Sequence, residues 1–211
     1  MTMIVMPSVD VTNTTPPTDS NGDGIPDTIK TALGVDPMAP ASVTSAALLG
    51  SSPSGTQSLP LQKLQIKVNF IKPGSDQVAI SGLLPLATTF KPSGQKMAVD
   101  VCNGITAAFT LNSSGSGKSG NATFKLSSKK VKGSTSTTLL SPFVIKFSKG
   151  SFGTFLNAAG LTIKPAYGQR LVYVTLLINQ TLYQKGVQVL YSNPTGTTAI
   201  ARELTSYMVN P

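Results

Sequence analysis

The residues best placed to do chemistry lie close together near the start of the chain, in Asp19-Ser20-Asn21-Gly22-Asp23-Gly24-Ile25-Pro26-Asp27. Counting Asp19 as loop position 1, side-chain oxygens fall at positions 1, 3, 5 and 9. Glycine stands at position 6, where such a loop turns sharply, and the Ile25 carbonyl is available at position 7. Hard divalent cations need this pattern: alternating carboxylates and an amide converge on one ion, and the ion offsets the repulsion among acids held so near one another. The expected calcium ligands are therefore Asp19, Asn21, Asp23, the Ile25 carbonyl and Asp27. Position 12, where a bidentate glutamate would complete the shell, is Lys30, and Asp36 is the only nearby acid able to substitute. With that ligand missing, calcium is expected to bind at roughly 10⁻⁴ M or weaker, the range of extracellular modules. The alternative reading is a solvated Asx-rich turn without metal.

Residues 19–36 resemble the calcium loops of thrombospondin type 3 repeats and dockerin-like modules, whose pattern is Asp-x-Asp/Asn-x-Asp-Gly-x-x-Asp. Pro16-Pro17 excludes the entering helix of a full EF-hand, as in those half-hand families, while Thr28 to Leu33 can form a short exiting helix capped by Gly34. The resemblance implies Ca2+ as cofactor and an extracellular or cell-surface location. The remainder of the chain is similar to repetitive β modules of bacterial secreted proteins, a likeness that implies the same location and nothing about activity.

Composition argues against catalysis. Histidine and Trp are absent, charged residues make up 12% of the chain, and the single cysteine, Cys102, has no cationic neighbour close in sequence to activate it. A serine nucleophile would need a lysine base, and Ser93 to Lys96 follows Pro92 in a turn. The charge distribution is more informative. The first 36 residues hold five aspartates against one lysine, a net −4, whereas the remaining 175 hold three acids against 16 Lys and Arg, a net +13. Such a body suits an anionic partner, and the acidic head of another copy would qualify. Lys129, Lys130 and Lys132 form the one cationic cluster able to grip an anionic polymer, although a charge run between strands is more often a solvated turn. Aromatics at 6% with no Trp are thin material for stacking: Tyr167, Tyr173, Tyr183, Tyr191 and Tyr207 could form a sugar-stacking face but more often pack in a core or on a sheet, and specific nucleic-acid recognition is not expected.

The elements that must carry these residues are mostly strands. Leu64, Ile66, Val68 and Phe70 alternate with polar residues, as do Met97, Val99 and Val101, then Ile105, Ala107, Phe109 and Leu111, and then Phe143, Ile145 and Phe147. Asn103-Gly104 reads as a hairpin turn with positive φ at both positions. Leu171 to Ile178 is apolar on both faces, like a central strand. Ser151 to Gly160 breaks the β pattern with a helical face of Phe152, Phe155, Leu156 and Ala159. Seven to nine strands with one short helix predict an all-β fold, an antiparallel β-sandwich.

The predicted organisation is an arm over 1–18, the calcium loop and short helix over 19–36, and an uncharged Pro, Ser, Gly and Ala-rich linker over 37–60. A β-sandwich over 61–198 and a tail over 199–211 follow. The opening Met-Thr-Met-Ile-Val-Met lacks the basic start and apolar run of a signal peptide, and no stretch reaches the roughly 20 apolar residues of a membrane span. The functional expectation is a non-catalytic structural subunit of a bacterial cell-surface fibre or lattice. It would self-associate through complementary charges and through the apolar arm Met1 to Val11, which could add to a neighbour's sheet edge. The alternative is an accessory module that binds carbohydrate or another anionic polymer.

Overall fold

Alternating side chains give each strand an apolar face that only a second layer can cover, and the strands form where that alternation runs. The computed structural model describes residues 16–47, 56–127, 137–164 and 166–204. Helices α1 (Asp27–Ala32) and α2 (Ala41–Ala47) come first, followed by β1 (Thr56–Ser58), β2 (Leu61–Asn69), β3 (Asp76–Ala87), β4 (Lys96–Val101) and β5 (Ile105–Thr110). After them come β6 (Ser116–Ser119), β7 (Ala122–Leu126), β8 (Thr138–Gly150), α3 (Gly153–Ala158), β9 (Ala166–Ile178), β10 (Thr181–Asn193) and β11 (Thr198–Glu203). The apolar arm Met1 to Val11 lies outside the described residues.

The fold is all-β, but the two layers of a sandwich are replaced by one sheet rolled almost shut into a barrel. Its strands run in the order β5-β4-β9-β10-β11-β2-β3-β8-β7-β6, with β1 attached in parallel to β10. The strands at the two ends of this order, β5 and β6, touch each other. The reason lies in β11, whose residues 199–203 fall in the segment expected to be a tail. They pair antiparallel with β2 on one side and β10 on the other, joining the early and late strands into a single ladder. Strands as long as β3, β8, β9 and β10 twist enough for such a sheet to curl on itself.

Segment 37–60 is likewise more than a linker. It contains α2, the strand β1 and the buried Leu59, whose amide donates to the Gln184 carbonyl at 3.1 Å.

Inside the barrel the alternation reads as expected. Leu64, Ile66 and Val68 of β2 meet Val78 and Ile80 of β3, and with Ile145, Val174, Leu176 and Val189 they form the main core. Three phenylalanines, Phe109, Phe124 and Phe143, continue it across β5, β7 and β8 with ring centroids 6.1 and 6.4 Å apart. Helix α3 is shorter than the sequence suggests, and only Leu156 on it is buried. A left-handed glycine closes its end: Gly160 has φ +77°, and the Leu161 amide reaches back to the Leu156 carbonyl.

The hairpin between β4 and β5 turns one residue earlier than Asn103-Gly104. Positive φ falls on Cys102 (57°) and Asn103 (53°), with Val101 paired to Ile105. Gly104 is needed for space instead. A Cβ there would lie 2.0 Å from the Phe155 ring, which packs on the bare backbone, while the Gly104 amide donates to Asp100 Oδ1 at 2.8 Å.

The acidic head does not hang on a tether. Ile25 and Ile29 are buried against Ala98 of β4, Leu177 of β9 and Leu182 of β10 on the outer surface of the barrel. Each such side chain removed from water contributes roughly 1.5–3 kcal/mol. This cover explains why Leu171 to Ile178 reads as apolar on both faces: one face lines the core, and Leu177 on the other receives the head.

Candidate functional site

The loop of residues 19–27 is built almost entirely from its own side chains. Asp19 accepts the amides of Gly22 (3.0 Å) and Gly24 (2.7 Å), and these two glycines take φ of 69° and 85°. Asp27, the first residue of α1, accepts the Ser20 amide at 3.0 Å and the Ser20 hydroxyl at 2.6 Å. Those two bonds, the hydroxyl's above all, hold its carboxyl below the ordinary value. Asp23 accepts the Ile25 amide at 3.0 Å. Ile25 itself is buried under the head, where its side chain anchors the loop to the barrel.

Lys30 occupies the centre. Its side chain is fully buried, with Nζ 2.7 Å from Asn21 Oδ1, 2.9 Å from Asp23 Oδ2 and 2.9 Å from the Pro37 carbonyl. An ammonium has three N–H donors, and each finds an oxygen here. Burial raises the Asp23 carboxyl, but the Lys30 hydrogen bond, the Ile25 amide, the Asn21 amide and the Lys30 charge together bring it below its ordinary value. Asn21 completes the cage by donating Nδ2 to the Ala39 carbonyl at 2.8 Å. The helix behind the cage ends as the sequence predicts, with Gly34 at φ +74° and the Val35 amide bonded to the Lys30 carbonyl at 2.9 Å.

Calcium would need the Asn21 and Asp23 oxygens at 2.3–2.6 Å from its own centre. Those two ligands are in contact with the lysine ammonium, and a divalent cation cannot share that centre with a second positive charge. The loop in this arrangement does not fit calcium. Asp36, the reserve ligand, accepts the Met38 amide at 2.8 Å. Sequence reasoning missed two participants, the Pro37 and Ala39 carbonyls. It also read Lys30 only as a missing ligand, although a lysine placed at position 12 of a loop of oxygens was itself the available signal.

The acids of the β body are engaged in holding backbone or a partner. Asp76 accepts the amides of Asn69 (2.8 Å) and Phe152 (2.7 Å), and Glu203 pairs with Lys185 at 3.5 Å. Asp100 sits beneath the head. Burial pushes its carboxyl up to about 6, against the opposing effect of the Gly104 amide. Cys102 is buried and its thiol is pushed well above the usual range, first by burial and then by the Asp100 charge. Among the described residues no three His, Cys, Asp or Glu gather in a metal-binding group.

The cations have a different arrangement. Lys63 and Lys67 of β2, Lys125 of β7, Lys146 of β8 and Arg202 of β11 all point outward from neighbouring strands. They are linked in rows, with Arg202 opposite Gln65, Lys63 opposite Ser81, and Val144 between Ser81 and Lys125. Of the body's three acids only Glu203, beside Arg202 at the wall's edge, lies close to it, and it pairs with Lys185. The wall runs from β11, the strand beside β10, across β2 and β8 to β7, while the head docks on β4, β9 and β10. The expected cationic cluster Lys129, Lys130 and Lys132 lies outside the described residues. Tyr183 and Tyr191 are buried in the core while Tyr167 is exposed. Among the described residues no helix is long and apolar enough to cross a membrane.

The site and fold define a rolled β barrel bearing a docked acidic head. Comparison with protein-family models, with curated proteins and with solved structures finds no match.

Proposed function

We propose that this chain is a non-catalytic structural module of the extracellular space or cell surface that associates with copies of itself. The observation that carries the reading is the separation of charge: Lys63, Lys67, Lys125, Lys146 and Arg202 are exposed across β2, β7, β8 and β11, and a head with four aspartates is docked on β4, β9 and β10. One copy's head complements the next copy's wall, and contacts of that head-to-tail kind generate an open polymer when the rotation does not close. A fibre or lattice is the natural product. Asp76, Asp100 and Glu203 each hold a backbone amide or a lysine, which supports a structural use of the body's acids.

The same wall favours one other reading, an accessory module that binds an anionic cell-surface polysaccharide. Light scattering of the full chain across salt concentrations separates the two. Self-association through the wall gives oligomers that dissociate near 1 M salt, where screening shortens to roughly 3 Å, and that are lost in Lys67→Glu/Lys146→Glu. A chain lacking residues 1–12 tests whether the apolar arm is also a joint. Monomers at every salt concentration defeat the assembly reading. Retention of such monomers on an anionic polysaccharide column, lost in the double variant, then establishes the accessory module.

A further inference from the structure

The head has the ligand spacing of a calcium loop and yet holds a buried lysine where the ion belongs. We propose that the Lys30 ammonium is the resident cation of this loop, tethered through its own side chain, so that the head is folded and docked at any calcium concentration.

Three observations carry this independently of the proposed function. First, among the described residues of the head Lys30 is the only charged one that is fully buried, and an ammonium removed from water is tolerated only where paired and hydrogen-bonded. Second, its partners are loop ligands. Asn21 Oδ1 and Asp23 Oδ2 are positions 3 and 5 of the calcium pattern, and both lie within 3 Å of Nζ. The Pro37 carbonyl, also at 2.9 Å, takes the third N–H from the segment that follows α1. Third, the source of the ammonium is position 12. In a calcium loop the side chain at that position reaches back from the exiting helix to close the coordination shell. Here the same reach from α1 delivers the cation instead of its last ligand, and its charge also helps to keep Asp27 ionised. A monovalent ammonium needs fewer carboxylates than Ca2+, which accounts for the neutral Asn21 and the Pro37 carbonyl as two of its three partners.

Tethering changes the loop's dependence on its surroundings. A calcium-filled loop empties under chelation, and its fold goes with the metal. An ammonium on a side chain cannot be extracted. Ile25 and Ile29 then stay seated on the barrel without any cofactor.

The test uses the full chain and three sequences: wild type, Lys30→Glu and Lys30→Met. Calcium is titrated calorimetrically up to about 10 mM, above the roughly 10⁻⁴–10⁻³ M range of extracellular modules. Hydrogen exchange is followed at the Gly22, Gly24 and Ile25 amides in calcium and in EDTA. Wild type is expected to give no binding heat and the same exchange in both solutions. Lys30→Met exchanges faster than wild type at these amides, because Asn21 and Asp23 have lost their partner. Lys30→Glu supplies the bidentate ligand and gains calcium binding at least roughly tenfold tighter than wild type, with loop exchange slowed by calcium and not by EDTA. Wild-type binding in the sub-millimolar range, or wild-type loop amides that exchange faster in EDTA, overturns the proposal. Should Lys30→Glu fail to fold its head, the wild-type titration and the Lys30→Met exchange still decide.

Discussion

Replacing Asp100 by asparagine should stabilise the protein at neutral pH and remove a specific part of its pH dependence. The carboxyl lies between β4 and α1, burial raises it from 3.8 to about 6, and Oδ1 accepts the Gly104 amide at 2.8 Å. Between those two values the folded chain holds a proton that the unfolded chain has released. Stability therefore falls as pH rises through this window: the contribution is full below pH 3.8 and gone above about 6. A displacement of about two pH units, at 1.36 kcal/mol each, corresponds to roughly 3 kcal/mol of stability missing at pH 7. Asparagine keeps an oxygen for Gly104. Urea unfolding at intervals from pH 4 to pH 8 checks this. The wild-type and Asp100→Asn curves should meet near pH 4 and diverge towards neutrality, with the variant more stable by about 2–3 kcal/mol at pH 7. Asp23 and Asp27 are shifted downward, so their linked stability is lost only as pH falls below 3.8, and it is common to both proteins. Parallel curves across the range, or a variant less stable at pH 7, would refute the argument.

Ile29→Ala should cost about 2–4 kcal/mol of head docking; limited proteolysis within residues 16–44 should speed up while the barrel's far-UV circular dichroism stays unchanged. Gly82→Ala places a Cβ 2.3 Å from the Pro60 carbonyl oxygen and 2.8 Å from the Phe143 ring, and neither the backbone oxygen nor a core aromatic can yield cheaply. A loss on the order of 2–3 kcal/mol in denaturant unfolding is expected, as for other overpacked cores. Asp76→Ala removes the acceptor shared by the Asn69 and Phe152 amides. Leaving those two donors without it should cost roughly 2–4 kcal/mol, and Asp76→Asn less, as read from urea midpoints.

The strands were legible because period-two alternation has one physical cause, a face that must be covered, and Leu64, Ile66 and Val68 are buried as that cause requires. Closure into a barrel was not, because it depends on β11 bridging β2 and β10, and no local pattern in Thr198–Glu203 says with which strands it pairs. The hairpin shows the same limit on a smaller scale. Glycine in Asn103-Gly104 suggested a left-handed backbone, whereas its role comes from Phe155, a residue 51 positions later in sequence that claims the space of its side chain. In the head, the spacing of Asp19, Asn21, Asp23 and Asp27 announced a loop organised round a cation. Which cation fills it depends on whether the Lys30 side chain reaches back from α1 to Asn21 and Asp23, a conformation that ligand spacing alone does not specify.

The docking of the head on β4, β9 and β10 also bears on how the chain can be made. The head carries Ile25 and Ile29 and is synthesised well before Leu177 and Leu182, against which they pack. β1 and β2 are under the same constraint, since they pair with β10 and β11. Such distant pairings delay the final fold until β9, β10 and β11 are available, and an early apolar surface left waiting is one on which neighbouring nascent chains can associate wrongly. A loop that builds its own cage round Lys30 gives that waiting segment a local structure of its own before the barrel exists to receive it.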